Sequence, residues 1–192
     1  MGVREKSVRA RAAGRMFLAW MTAMVVAAAA LGALRQVGTP AVAVHALGPG
    51  GLIKIDMESN ELSVEEKDGK LVLSSDLRKL TDKENELRAK HMREEFQADQ
   101  LPSVTLTIAR ADLKLPLEGQ SLSAEVPGAL TLHGVTKPVH VAYSASRSGA
   151  TYNVSGTTDV DYTQFLGRKI SRLGVTVQPL VKVEAKFKLN DG

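Results

Sequence analysis

The sequence predicts an all-β protein of about eight antiparallel strands closed into a barrel, with one α-helix over about residues 82–95 near the barrel mouth. Three observations predict it. Short runs of strictly alternating apolar and polar residues recur from Leu52 to Leu189, the signature of strands with one buried and one wet face. Most are joined by short turns carrying Gly, Pro or Asp-Gly, which suits antiparallel neighbours. One uninterrupted helical segment breaks the series. Closing the sheet removes the exposed edges that a strand-rich chain of balanced charge would otherwise present.

The clearest pair of strands lies between Ser121 and Tyr143. Leu122, Ala124, Val126, Leu130 and Leu132 fall on one face of the first run, and Val139, Val141 and Tyr143 on one face of the second. Between them the stretch from His133 to Pro138 reads as the turn, with Gly134 free to take positive φ and Pro138 starting the returning strand. The last strand alternates most cleanly: Val181, Val183, Ala185, Phe187 and Leu189 inward, Lys182, Glu184, Lys186 and Lys188 outward.

Residues 1–33 read as a signal peptide or an N-terminal anchor. Arg4, Lys6, Arg9, Arg11 and Arg15 precede an uncharged run from Met16 to Leu34 that is rich in Ala, Val and Met. A basic segment, an apolar core and small residues such as Ala28, Ala30, Gly32 and Ala33 mark a secretory signal. The run also approaches the roughly 20 residues of a spanning helix, so an uncleaved leader would bring membrane contact. Either way the rest of the chain is expected outside the cytoplasm, periplasmic or secreted. The chain has 25 basic and 21 acidic residues, and removing residues 1–33 leaves 20 of each. A nucleic-acid binder needs surplus cations to displace counterions, and here the surplus leaves with the leader. With no cysteine, disulfides, thiolate metal sites and thiol nucleophiles are excluded.

Along the rest, residues 34–40 are expected as a tether and residues 41–190 as the barrel domain, opening on a short strand from Ala41 to Ala46. Gly48-Pro49-Gly50-Gly51 turns the chain. The Lys-Ser/Thr pair of a phosphate loop is missing, and a strand follows instead of a helix. One long polar strand is expected from Leu52 to Glu66, then an Asp68-Gly69 hairpin turn and a strand from Lys70 to Leu77. Thr81-Asp82-Lys83-Glu84 reads as a capping box opening the helix. Ser103–Ala109 is a further half-buried strand, Asp112–Gly119 a connection, Thr151–Tyr162 a strand, and the stretch from Phe165 to Leu173 a basic loop.

Leu130 to Val139, LTLHGVTKPV, resembles the hallmark hairpin of the YceI-like family of extracytoplasmic barrels. A second region supports the resemblance: Asn85, Arg88, Ala89, Lys90, His91, Met92 and Arg93, then Leu101-Pro102-Ser103, follow the family's Asn…Arg-Asp-x-His-Leu-Arg pattern and aromatic-Pro-Thr step. Ala89 replaces the acid and Leu101 the aromatic, so any role of that acid is missing here. The resemblance covers roughly Leu52 to Leu189. It implies a lipocalin-like barrel enclosing an elongated apolar ligand, with isoprenoid-like or other amphiphilic lipids as the expected class; no catalytic constellation stands in the sequence, so neither enzyme activity nor a cofactor is expected.

An eight-stranded barrel is near the size at which side chains either fill the interior or leave room for one ligand. Aromatics are only 4% of the chain, and the alternation alone is consistent with a hollow lumen or a filled structural core. The candidate wall residues are Leu130, Leu132, Val139, Val141, Tyr143, Val181, Val183 and Phe187. Arg88 and His91, on the helix, are candidates for a polar headgroup, although a solvated helix face accounts for them too. His133 reads as a structural turn residue. The sequence holds no HExxH zinc motif and no G-x-S-x-G elbow, so the reading is a binding barrel, with a filled interaction barrel as the alternative.

Overall fold

A computed structural model of the chain describes residues 33–172 and 174–191. The signal or anchor reading falls, apart from Ala33, outside the described residues. The elements run β1 (Arg35–Leu47), β2 (Lys54–Ser59), β3 (Leu62–Lys67), β4 (Lys70–Asp76), α1 (Glu86–Glu95), β5 (Ser103–Ala109), β6 (Ser121–Leu132), β7 (Val135–Ser148), β8 (Thr151–Asp161), α2 (Thr163–Leu166), β9 (Ser171–Arg172), β10 (Val175–Thr176) and β11 (Leu180–Asn190). Strands pair antiparallel in the order β11-β8-β7-β6-β5-β4-β3-β1, and β1 also pairs with β11. The sheet therefore closes on itself. β2 and β3 are two halves of one bent stave, both paired to β1, so the barrel has eight staves. β9 and β10 form a separate small ribbon.

Closure is carried by β1, and here the structure differs most from expectation. Residues 35–40, expected as a tether, are the first half of a 13-residue strand. Arg35, Gln36 and Val37 face Asn190, Leu189 and Lys188, and the register then shifts before Ala41 meets Lys186. Gly38 at φ +70° lies inside that shift, a conformation other residues rarely adopt. The Gln36 side chain accepts the Val64 N–H at 2.6 Å, joining this half of β1 to β3 where the backbone pairs only once. Bulge and proline (Pro40) interrupt the alternation that would have marked the strand.

Three other boundaries moved for local reasons. The expected single strand from Leu52 to Glu66 is broken at Asn60-Glu61, where the hydroxyl of buried Ser59 accepts the Glu61 N–H. The hallmark turn has two residues instead of six, His133 at φ +52° and Gly134 at φ +73°, as a tight hairpin of this hand requires. Pro138 lies within β7, opposite Ala129, and Pro127 of β6 lies opposite His140. Counting from the turn, both prolines occupy pairs that exchange no hydrogen bonds across β6–β7, so neither removes a donor from that ladder. Both sit beyond the residues where the outer neighbours pair, Pro127 two residues from Ala129 and Pro138 four from Ala142. Finally, the basic loop expected from Phe165 to Leu173 contains the second half of α2 and all of β9.

Apolar side chains gather in two clusters along the barrel axis. The mouth-end cluster includes Ile55, Met57, Leu77, Leu80, Met92, Leu130, Leu132, Tyr162 and Val181. The floor-end cluster includes Leu34, Leu71, Leu113, Val126, Val141, Tyr143, Phe187 and Leu189. The connection between β5 and β6 closes the floor. Leu113 is buried there, and the Tyr143 hydroxyl accepts the Lys114 N–H at 2.8 Å and donates to the Lys114 carbonyl at 2.9 Å. At the other end the buried Tyr162 hydroxyl accepts from Ile170 N–H and donates to the Val177 carbonyl, holding the segment after α2 against the mouth.

The hairpin turn gives a direct test. Gly134→Val places a β-branched residue at φ +73°, which costs about 1–2 kcal/mol. Chemical denaturation should show a lower midpoint with an unchanged slope, and Gly134→Asn, which tolerates this conformation, should lose clearly less.

Candidate functional site

The alternation of the staves leaves a cavity of about 160 Å³ beneath α1 and a second of about 60 Å³ toward the floor. Leu73, Leu106, Thr158, Val183 and Ala185 line both, so the two are successive chambers of one lumen meeting at that ring. Nearly all the lining is aliphatic or aromatic. Its polar side chains are those of Ser75, Thr157, Thr158, Tyr143 and Tyr162; the Thr158 hydroxyl donates to the His140 carbonyl at 2.8 Å, both tyrosine hydroxyls are bonded to backbone, and no charged side chain lines either chamber. Such a space recognises an apolar body by shape and area removed from water.

The candidate wall residues distribute between the chambers. Leu130, Leu132, Val181 and Val183 line the larger. Val141, Tyr143, Val183 and Phe187 line the smaller. Val139 is half-buried against both clusters and lines neither chamber. The larger chamber also takes Val44, Ile55, Met57, Leu73, Met92 and Phe96, which the sequence reading did not single out. The alternation in Lys70–Leu77 and Ser103–Ala109 was signal enough for Leu73 and Leu106. For Met92 and Phe96 the signal was weak, because the helix is largely polar.

That helix is the roof of the larger chamber. It starts at Glu86, four residues later than expected, and the capping box is not its cap. Asn85 caps it, accepting the Arg88 N–H at 3.0 Å. The Thr81 hydroxyl instead donates to the Glu58 carbonyl, and the Thr81 and Glu58 backbones bridge in both directions. Asp82, buried, accepts the N–H groups of Glu84 and Asn85 and the Arg88 guanidinium. Burial pushes the Asp82 carboxyl up, but Arg88 and the two amides outweigh it and hold it below the usual carboxylate range. On α1, Ala89 and Met92 are the buried residues, facing the barrel.

Arg88 and His91 are therefore placed differently from a headgroup pair over the lumen. The Arg88 guanidinium is committed to Asp82, with further contacts to Glu84 and the Lys54 carbonyl. His91 is half-buried on α1 and lines neither chamber. Arg93 donates to the Leu80 carbonyl and pairs with Glu86. On the far side Arg168 and Arg172 pair with Glu95 at 2.6 Å and Glu94 at 2.9 Å. Polar contacts thus strap the roof at both flanks while its apolar face closes the chamber. Among the described residues no cluster of three or more His, Asp or Glu is placed to hold a metal ion.

A family model for the YceI-like domain matches residues 44–189. The chain belongs to the YceI-like family. Two solved structures share its fold. A polyisoprenoid binding domain from Saccharophagus degradans, implicated in plant cell wall breakdown, aligns at 15% identity over 84% of this chain and 99% of its own, with a TM-score of 0.65. BcnA of Burkholderia cenocepacia aligns at 17% identity over 77% of this chain and 95% of its own, with a TM-score of 0.58. No curated protein matches the sequence.

The strap on the roof is testable by stability and by pH. Asp82→Asn removes one partner of a buried ion pair and should cost about 3 kcal/mol. Because the Asp82 carboxyl titrates lower in the folded than in the unfolded chain, its contribution is fully present above the ordinary carboxylate pKa of about 3.9 and is lost as pH falls through the folded value. Thermal melts across acidic pH should fall more steeply for the parent than for Asp82→Asn.

Proposed function

We propose that this YceI-like barrel is an exported, non-enzymatic binding protein that holds the apolar part of an isoprenoid-like or other amphiphilic lipid in its lumen. The observation that carries this reading is the pair of adjoining apolar chambers, about 160 and 60 Å³, under the helical roof. The S. degradans relative is described as a polyisoprenoid binding domain, and the shared fold favours the same ligand class here. The basic and apolar leader of residues 1–33 favours a place outside the cytoplasm.

Affinity would come from apolar area alone, at roughly 0.8 kcal/mol per buried CH₂, offset in part by ordering a flexible chain. The larger chamber matches the engineered cavity of about 150 Å³ that accepts a benzene ring. A longer chain therefore needs the lumen to widen, and the unbranched Met92 and half-buried Phe96 of the roof are the side chains placed to yield. The small resting volume also favours the alternative, a structural barrel with a nearly filled core.

Ala185→Phe separates the two. Ala185 lines both chambers, and a phenyl ring there occupies the space without adding charge. Native mass spectrometry after incubation with a polyprenyl alcohol should show a bound adduct on the parent and at least a tenfold lower occupancy on Ala185→Phe, with both proteins folded by circular dichroism. No adduct on the parent would favour the filled barrel.

A further inference from the structure

We propose that the C-terminal half of α1 is a lid over the larger chamber, latched by the ion pairs Arg168–Glu95 and Arg172–Glu94, and that the seam it opens beside Tyr162 and Val177 is the route by which an apolar ligand enters the lumen. The entry route rests on the binding reading above; the lid stands on the contacts of α1 alone.

The seam lies over the cavity. Met92 and Phe96 form one lip, Tyr162 and Val177 the other, and all four line the larger chamber. The second lip is tied into the barrel by backbone. The Tyr162 N–H donates to the Pro179 carbonyl at 3.1 Å, the Val177 N–H to the Ile170 carbonyl at 2.9 Å, and the Gln178 N–H to the Leu47 carbonyl of β1 at 2.7 Å. The Tyr162 hydroxyl bridges the same stretch from within.

The first lip is attached differently. The segment from Arg78 to Leu101 leaves the barrel after β4 and returns at β5, which are neighbours in the ladder. Across its base the Leu77 N–H donates to the Pro102 carbonyl at 2.8 Å. A segment that leaves and returns at one stem can swing without breaking strand pairing, its few end residues absorbing the change. The part before and at the start of α1 is pinned. Thr81 and Glu58 exchange backbone hydrogen bonds at 2.9 and 3.0 Å, and Arg88 is held by buried Asp82 and by the Lys54 carbonyl. Removing one partner of a buried pair is strongly destabilising, so this end serves as the pivot.

The half that carries Met92 and Phe96 has no such anchor. Among the described residues no backbone–backbone hydrogen bond joins the stretch from Met92 to Phe96 to the barrel, and Gln97 reaches the hairpin turn through one side-chain bond to His133 at 3.1 Å. Across the seam, Arg168 meets the Glu95 carboxylate at 2.6 Å and its carbonyl at 3.3 Å, and Arg172 meets the Glu94 carboxylate at 2.9 Å. The two arginine side chains are 51% and 43% exposed. Ion pairs that open to water contribute little and are screened by salt. The half of the roof that lines the chamber is thus the half held by its weakest class of contact, and the flexible Met92 beneath it re-packs readily.

The chain has no cysteine, so single thiols report opening. Met92→Cys places one beneath the lid, and Leu71→Cys places one in the floor cluster, where Leu71 is fully buried. Maleimide labelling of Met92→Cys should be about tenfold faster when Arg168→Gln and Arg172→Gln are added, the combined loss of two exposed pairs, and faster in concentrated salt. The Leu71→Cys rate should not change. An unchanged rate at position 92, or rates that rise together at 92 and 71, which would mean global unfolding, overturns the lid. Native mass spectrometry with a polyprenyl alcohol tests the route. Arg168→Gln/Arg172→Gln should load faster to the same final occupancy. Glu94→Cys/Arg172→Cys, joined by a bis-methanethiosulfonate linker, should load about tenfold more slowly than the same protein after dithiothreitol releases the linker. Equal loading with the linker in place would overturn the seam as the entry. A parent that labels as expected yet takes up no polyprenyl alcohol overturns the binding reading and leaves the lid standing.

Discussion

Everything in this molecule depends on the ladder between β1 and β11. Without it the sheet would expose an unpaired edge on each side and open its apolar inner face to water, two penalties that arise together. Closure is also what makes a lumen possible, since an open twisted sheet of eight staves encloses no volume. The first half of β1 is attached by an irregular register, a bulge at Gly38 and one glutamine side chain. The second half is regular, Ala41 to His45 against Lys186 to Lys182. The barrel is thus closed mainly by the part of β1 nearest the mouth, with Leu34 packed beneath the irregular part.

Where residues alternate cleanly, sequence and structure agree: β5 has the expected bounds, and the inward faces of β6, β7 and β11 are the expected ones. Alternation works there because one face meets the lumen and the other water, so every second residue is under the same constraint. It fails where the backbone breaks step. The bulge and Pro40 hid the start of β1, and nothing in the pattern distinguished one strand from two across Asn60-Glu61. The helix misled for a different reason. Thr81, Asp82 and Glu84 have the chemistry of a capping box, but the Glu58 backbone competes for Thr81, and Asp82 turns the chain before the helix instead of capping it. Local motifs state what a side chain can bond to, and tertiary neighbours decide what it does bond to.

The same distinction divides the candidate site. Its walls were legible because pointing inward is a local property of a strand. The roof was not, since α1 covers the lumen through Met92 and Phe96 while most of its surface is charged. Arg88 and His91 drew attention as polar residues near a mouth. The structure gives Arg88 a structural task, because a buried carboxylate six residues before it needs a cation. A charged residue near a cavity is as often part of the scaffold holding the lid as part of the surface that meets the ligand.

Why the lumen has space at all traces to a few positions. On β8 and β11, Gly156 faces Ala185, and on its other side Gly156 faces Tyr143 of β7. Two of the smallest inward residues are thus opposed at the level where the chambers meet, beside the tyrosine whose hydroxyl is anchored to the floor connection. A Cβ at Gly156 would meet only ordinary contacts, the nearest being Val141 Cγ1 at 3.5 Å. Packing therefore does not exclude a side chain there, and the glycine is a gap that larger residues could have filled. By contrast a Cβ at Gly128 would stand 3.0 Å from Leu106 Cδ1 and 3.4 Å from the Thr107 carbonyl oxygen, so a side chain there would require Leu106 to move. At Gly128 the Leu106 side chain already takes the space of a Cβ, whereas Gly156 leaves its side of the smaller chamber open. Only the second bears on the volume of the lumen, and the distinction becomes visible once the strands are in register.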